Sequence, residues 1–221
     1  MYLLLTFNST HFNLFYYCTL NINVQLYLWI CFFLPFAIKT PILPFHIWLP
    51  EAHVEAPTVG SVILASLLLK LGSYGFIRFL LTMFTYANIY YSPVVYVMSL
   101  LSIIYGSLIA IRQIDLKKII AYSSIAHMNI VVLGLFSLTL NGFNGAFYLM
   151  LAHGFVSSGL FFIIGMLYEK THTRVINYYG GLNLILPVWV FFFFNFSIAN
   201  MGFPGTANFI GELLIILGIW E

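Results

Sequence analysis

Long apolar runs, broken by short clusters of glycine, proline, asparagine and charge, organise nearly the whole chain. Read for helices on the scale of a membrane, the pattern predicts segments at residues 24–45, 58–86, 93–111, 118–137, 144–168 and 185–219. Residues 1–20 form a weaker further segment, interrupted by Asn8, Ser9, His11 and Asn13. A helix needs about 20 mostly apolar residues to cross the hydrocarbon core of a bilayer, so the expected fold class is an all-α polytopic membrane protein of about six or seven transmembrane helices. Residues 21–221 read as one transmembrane domain behind the weak segment 1–20.

Two of the segments are predicted to be discontinuous. Pro41, Pro44, Pro50 and Pro57 crowd one stretch, and because each proline removes a backbone donor and crowds the preceding turn, no regular helix is expected from 41 to 57. The last segment is cut in its middle by Asn200-Met-Gly202-Phe-Pro204-Gly205-Thr-Ala-Asn208. Non-helical backbone at membrane depth persists only where protein buries it or where it lines a hydrated cavity, and broken helices recur in transporters. The pattern therefore points to an ion path bracketed by two breaks.

Composition sharpens the membrane reading. Hydrophobic residues make up 62% of the chain and charged residues 6%, with a mean hydropathy of +1.00, whereas soluble domains carry about a quarter charged residues. A formal net charge of +2 from so few side chains gives no footing for a nucleic-acid partner and leaves lipid as the expected surroundings. Arg112, Lys117 and Lys118 fall in one loop and Lys170 and Arg174 in another, two spans away, so both loops face one compartment. The positive-inside rule makes that compartment the cytoplasm or a mitochondrial matrix, and the charges themselves read as topogenic. Cys18 and Cys31 stand in apolar stretches without metal or disulfide spacing and read as inert packing residues. The start of the chain has neither a signal peptide's basic start and cleavage site nor the arginine content of a transit peptide. Its 23 Phe and 15 Tyr fit an AT-rich organellar gene, for which no targeting segment is expected.

Against this background a few ionisable side chains stand out. Lys39 closes an apolar run just before the proline-rich break, and Lys70 lies deep in the next run. A charge at mid-helix costs about 2.5–3.5 kcal/mol on insertion scales, so such a residue reads as functional, with a partner or a hydrated cavity. The blander reading of Lys39 is an interfacial anchor. His127 and His153 fall within predicted spans, too far apart in sequence to form a local metal pair. A histidine can relay a proton through its two nitrogens, or simply hydrogen-bond a neighbouring helix. His46 and His53 lie in the first break, where stabilising the loop and relaying a proton remain equal alternatives. Glu212, just after the second break, is the mid-span carboxylate, and its alternative is to cap the half-helix. No glycine-rich phosphate loop, cysteine cluster or nucleophile constellation appears, so no cofactor is expected on this chain. Lys, Lys, His, His and Glu compose a wire for protons or cations.

Lys39-Thr-Pro-Ile-Leu-Pro-Phe-His-Ile-Trp-Leu-Pro-Glu-Ala-His-Val-Glu-Ala-Pro57 resembles the antiporter-like membrane subunits of respiratory complex I, NADH:ubiquinone oxidoreductase. The likeness continues through Leu68-Leu-Lys70-Leu-Gly, Ile119-Ile-Ala-Tyr-Ser-Ser-Ile-Ala-His127-Met, Leu151-Ala-His153-Gly and Gly202-Phe-Pro-Gly-Thr-Ala-Asn-Phe-Ile-Gly-Glu212. The His-Val-Glu-Ala-Pro run favours the subunit-4 branch over the sister subunits and the related Mrp-type cation/proton antiporters. The resemblance implies a proton-pumping module of the mitochondrial inner membrane. In it Lys39 and Lys70 match lysines on a broken helix and the helix after it, His127 and His153 the connecting histidines, and Glu212 the acid near the exit. It also implies that FMN, iron-sulfur clusters and ubiquinone sit elsewhere in the complex, and that other membrane-arm subunits are the partners. Such subunits carry about fourteen helices, including a glutamate that pairs with the lysine matching Lys39, and this sequence lacks that part. The expectation is a split subunit, with a separate chain supplying the N-terminal half and the acid for Lys39. A stand-alone Mrp-like antiporter and an inactive structural segment are the competing functions.

Overall fold

The computed structural model describes residues 20–221, so the weak segment over residues 1–20 lies, but for Leu20, outside the described residues. Apart from an isolated bridge between Asp115 and Val175, the regular structure of the described residues is helical. In chain order the principal helices are α1 (Ile22–Lys39), α2 (Trp48–Glu55), α3 (Thr58–Leu81), α4 (Thr85–Arg112), α5 (Leu116–Phe136), α6 (Leu140–Thr171), α7 (Pro187–Asn200) and α8 (Ala207–Trp220). Of these, α1, α3, α4, α5 and α6 are each long and apolar enough to cross a membrane. Helices α7 and α8 have 14 residues apiece, and at 1.5 Å per residue each reaches about 21 Å, short of the roughly 30 Å hydrocarbon core. Joined through residues 201–206 they make one discontinuous span, as the sequence predicts.

The first break follows α1. Thr40 caps that helix through its hydroxyl and its backbone N–H, both donated to Phe36 O at 2.8 Å. Beyond it the chain runs through turns to Ile47, and the backbone groups freed there are met by side chains from the middle of other spans. Leu43 N donates to Ser102 Oγ of α4 at 2.9 Å, and Pro41 O accepts Asn129 Nδ2 of α5 at 3.3 Å. That is the condition for irregular backbone at membrane depth, and it places this break inside the bundle instead of in an outer loop.

Two expectations are corrected. The proline-rich stretch does contain a regular helix, α2, because Pro50 falls in its first turn, where a missing backbone N–H costs no helical hydrogen bond. Helix α4 begins at Thr85 and not at 93, running through Pro93. Pro93 leaves the Ile89 carbonyl without its usual donor, and Ser92 Oγ fills that role at 3.0 Å.

Helices α5 and α6 form the centre of the bundle, with buried residues along most of their length. One end of the core is aromatic: Trp29 stacks on Phe33 and Tyr91, each with ring centroids 4.6 Å apart, and donates its indole N–H to Asn88 Oδ1 at 2.7 Å. Cys31 lies on the exposed face of α1, so it is not the packing residue expected, and Cys18 lies outside the described residues.

Candidate functional site

Helix α3 carries Lys70 on a short α-helical stretch flanked by π-helical turns at Leu64–Leu68 and Phe76–Leu81. π-turns widen a helix locally and concentrate at functional positions. Here Lys70 Nζ folds back to donate to Ala65 O, within the first of these turns, and meets His153 Nδ1 at 3.0 Å. It reaches that ring by lying across Gly154 of α6, where a Cβ would sit 3.6 Å from Lys70 Cε.

His153 is fully buried on α6. Its ring lies 5.5 Å, centroid to centroid, from that of His127 on α5. His127 Nδ1 in turn stands 3.1 Å from Glu212 Oε1 on α8, an ion-pair distance when the imidazole is protonated, although the two are not aligned as a hydrogen bond. The carboxylate backs onto the second break. At Gly202 the backbone φ is +68°, and a Cβ there would sit 2.6 Å from Glu212 Oε2, so glycine serves both the turn and the acid. Asn200, at the end of α7, donates to Ser123 Oγ of α5 at 3.2 Å and ties the break to the helix that carries His127.

Four of the five residues singled out from sequence thus form one row, Lys70, His153, His127 and Glu212, drawn from four different helices. Such a row supplies, in order, a cation, two groups able to carry a proton on either of two nitrogens, and a carboxylate. Lys39 is outside it. It lies in the last turn of α1 with its side chain exposed, and its Cβ packs against the site of Gly72 on α3. No carboxylate among the described residues lies within ion-pairing distance of Lys39.

Residues near the two basic loops play a part that sequence reading missed. The loops come together through Leu116 N donating to Arg174 O and Ile176 N donating to Ile114 O, each at 3.1 Å, which fits their expected placement on one side. Lys117 is not a free loop charge: it is 1% exposed and donates to Ala56 O at 2.9 Å and Ser61 Oγ at 3.4 Å. Arg174 donates to Val54 O at 2.6 Å while its guanidinium lies 4.2 Å over the Tyr168 ring. The carbonyls these cations hold belong to the C-terminal end of α2, the negative end of its dipole. His53 of α2 is fully buried and stacked on Phe161 of α6, with centroids 4.4 Å apart. A lysine beside Lys118 at the edge of a span carries no sequence signal of burial, which is why Lys117 reads as topogenic.

Among the described residues no three His, Cys, Asp or Glu side chains gather as metal ligands. A cavity of about 680 Å³ between α6 and α7, lined by Phe162, Met166, Trp189 and Phe192, holds none of the row.

Comparison with known proteins follows the same lines. The family described as "NADH:quinone oxidoreductase/Mrp antiporter, TM" matches residues 1–221. The NADH-ubiquinone oxidoreductase chain 4 of Chondrus crispus is 54% identical over 213 residues, covering 96% of this chain and 43% of that protein. Its counterpart in Marchantia polymorpha is 57% identical over 197 residues, covering 89% and 40%. A chain of respiratory complex I from Thermus thermophilus superposes with a TM-score of 0.86 at 35% identity, over 91% of this chain and 43% of its own. The chain therefore spans about two fifths of the length of the relatives it matches.

Proposed function

The chain belongs to the NADH:quinone oxidoreductase/Mrp antiporter transmembrane family, and from that membership we propose that it is a proton-translocating part of the membrane arm of NADH:ubiquinone oxidoreductase. The observation that carries the proposal is the row Lys70, His153, His127 and Glu212 drawn from four helices, fully buried at His153 and half-buried at the other three. A side chain able to ionise is costly in hydrocarbon, and four brought together in one row offer a proton a path. In this reading Lys70 receives the proton, the histidines pass it on and Glu212 releases it beside the second break. The flavin, the iron-sulfur clusters and the quinone work elsewhere in the assembly, which sits in the mitochondrial inner membrane. Lys39 stands ready for an acid from another membrane-arm polypeptide, one that supplies the N-terminal half. Lipid covers the exposed apolar faces. A partner acid that approaches Lys39 and withdraws from it acts as a switch on that charge.

The test is to isolate the assembly through this chain, reconstitute it in vesicles and measure lumenal acidification. The proposal predicts co-isolation with flavin and iron-sulfur proteins and acidification driven by NADH and quinone. Proton movement driven by a sodium gradient without those components would instead identify a stand-alone antiporter.

A further inference from the structure

The row has a side branch that the relay as described does not use. When the Lys70 ammonium donates to His153 Nδ1, a neutral imidazole carries its own proton on Nε2. That nitrogen is buried and finds no hydrogen-bond partner among the described residues. Asn208, in the first turn of α8, is also fully buried, and both its Nδ2 and its Oδ1 are likewise without a partner there. Buried amide groups left unsatisfied are rare, and where the surroundings are polar they hold ordered water.

Helix packing brings these atoms to one level. Helices α6 and α8 run antiparallel in close contact. A Cβ at Gly218 would lie 2.2 Å from Gly142 N, one at Gly145 2.8 Å from Ile215 N, and one at Gly211 2.8 Å from Leu149 Cβ. Each step toward the start of α8 moves the contact equally toward the end of α6. One more turn sets Asn208 level with Ala152 and His153. Asn208, Gly211, Ile215 and Gly218 are the buried residues of α8, so Asn208 is on the face that makes these contacts. Glu212 follows Asn208 by four residues, one turn further along the same helix.

We infer that Asn208 is a positioning residue that holds a water between His153 Nε2 and Glu212, a second route by which the proton on His153 reaches the carboxylate without crossing His127. The inference rests on the relay reading above. The Lys70 ammonium gives its proton to His153 Nδ1 while His153 Nε2 loses its proton to the water oxygen. The water passes one of its protons to Glu212. One proton leaves the lysine, one arrives on the carboxylate, and water and imidazole return to their starting composition. The amide accepts from the water through Oδ1 and donates to it through Nδ2, fixing its orientation in both halves of the transfer.

The test compares Asn208→Leu, of similar size and without polar atoms, with Asn208→Ser, which keeps a hydroxyl, in the assembled complex in vesicles. Asn208→Leu is expected to lower the rate of NADH-driven pumping severalfold, and Asn208→Ser to restore it to near the parent rate. A parent-like rate in Asn208→Leu, or equal loss in both variants, overturns the inference. A high-resolution cryo-electron microscopy map of the unaltered complex decides independently of any folding defect. It should show a water within hydrogen-bonding distance of Asn208 and His153 Nε2, and a direct amide-to-ring hydrogen bond or a dry apolar contact there overturns the proposal. Lys70→Met separates the two levels: loss of pumping in Lys70→Met with parent-like pumping in Asn208→Leu removes only the role of Asn208, whereas parent-like pumping in Lys70→Met removes the relay itself.

Discussion

Lys117 and Arg174 hold the end of α2 with donors anchored on other elements, so their removal should be felt at α2 and not at the row. A hydrogen bond from a charged donor contributes about 1.5–3 kcal/mol, and Lys117→Met leaves Ala56 O and Ser61 Oγ without their lysine donor. Backbone amides of α2 should exchange hydrogen markedly faster in Lys117→Met, read by mass spectrometry on the purified complex. Lys118→Met, at the neighbouring position, should leave them as they are. Equal exchange in both variants would show that Lys117 anchors nothing. The row and this clasp differ sharply in how far sequence reveals them. Lys70, His127, His153 and Glu212 stand out because each interrupts an apolar run, where its cost demands a reason. Which of them touch is a matter of helix packing, and nothing in their spacing says that Lys70 meets His153 while Lys39 stands apart. Lys117 and Asn208 escape notice because a cation at a span edge and a neutral amide are common in unremarkable places, and His53 stays open between two roles because a histidine in a break can serve either.

Both breaks in the helices are legible as clusters of proline and glycine, yet their internal form is decided by position within a turn. Pro50 permits α2 because it falls at the start of a helix, and Pro93 is carried inside α4 because Ser92 takes over the freed carbonyl. The second break depends on Gly202, whose φ of +68° favours glycine and where a Cβ would push the Glu212 carboxylate aside. A residue other than glycine in this conformation costs about 1–2 kcal/mol. Gly202→Ala should therefore destabilise the assembly slightly and displace Glu212 from His127, lowering NADH-driven pumping more than it lowers NADH oxidation by detergent-solubilised complex. Pumping and oxidation that both match the parent would mean that the fit between Gly202 and the acid is incidental.

At the scale of the whole molecule, five helices long enough to cross a membrane and the broken pair α7 and α8, with a second break after α1, hold among the described residues a row that is buried at His153 and half-buried elsewhere, while Lys39 is exposed. Lys39 is exposed at the end of an apolar helix with no acid of the described residues in reach, and in the proposed function an acid from elsewhere in the assembly meets it. A map of the intact complex should place a carboxylate of another polypeptide within ion-pairing distance of Lys39, directly or through one water. Apolar side chains and lipid alone around Lys39 would remove the switch assigned to it. The central claim, that protons pass along the row, is tested most directly by the number of protons translocated per NADH oxidised in vesicles carrying Lys70→Met, a change that keeps side-chain length and removes the charge. The row as described predicts a fully assembled complex with lower proton translocation and slower coupled NADH oxidation. A stoichiometry and rate equal to those of the unaltered complex would contradict it.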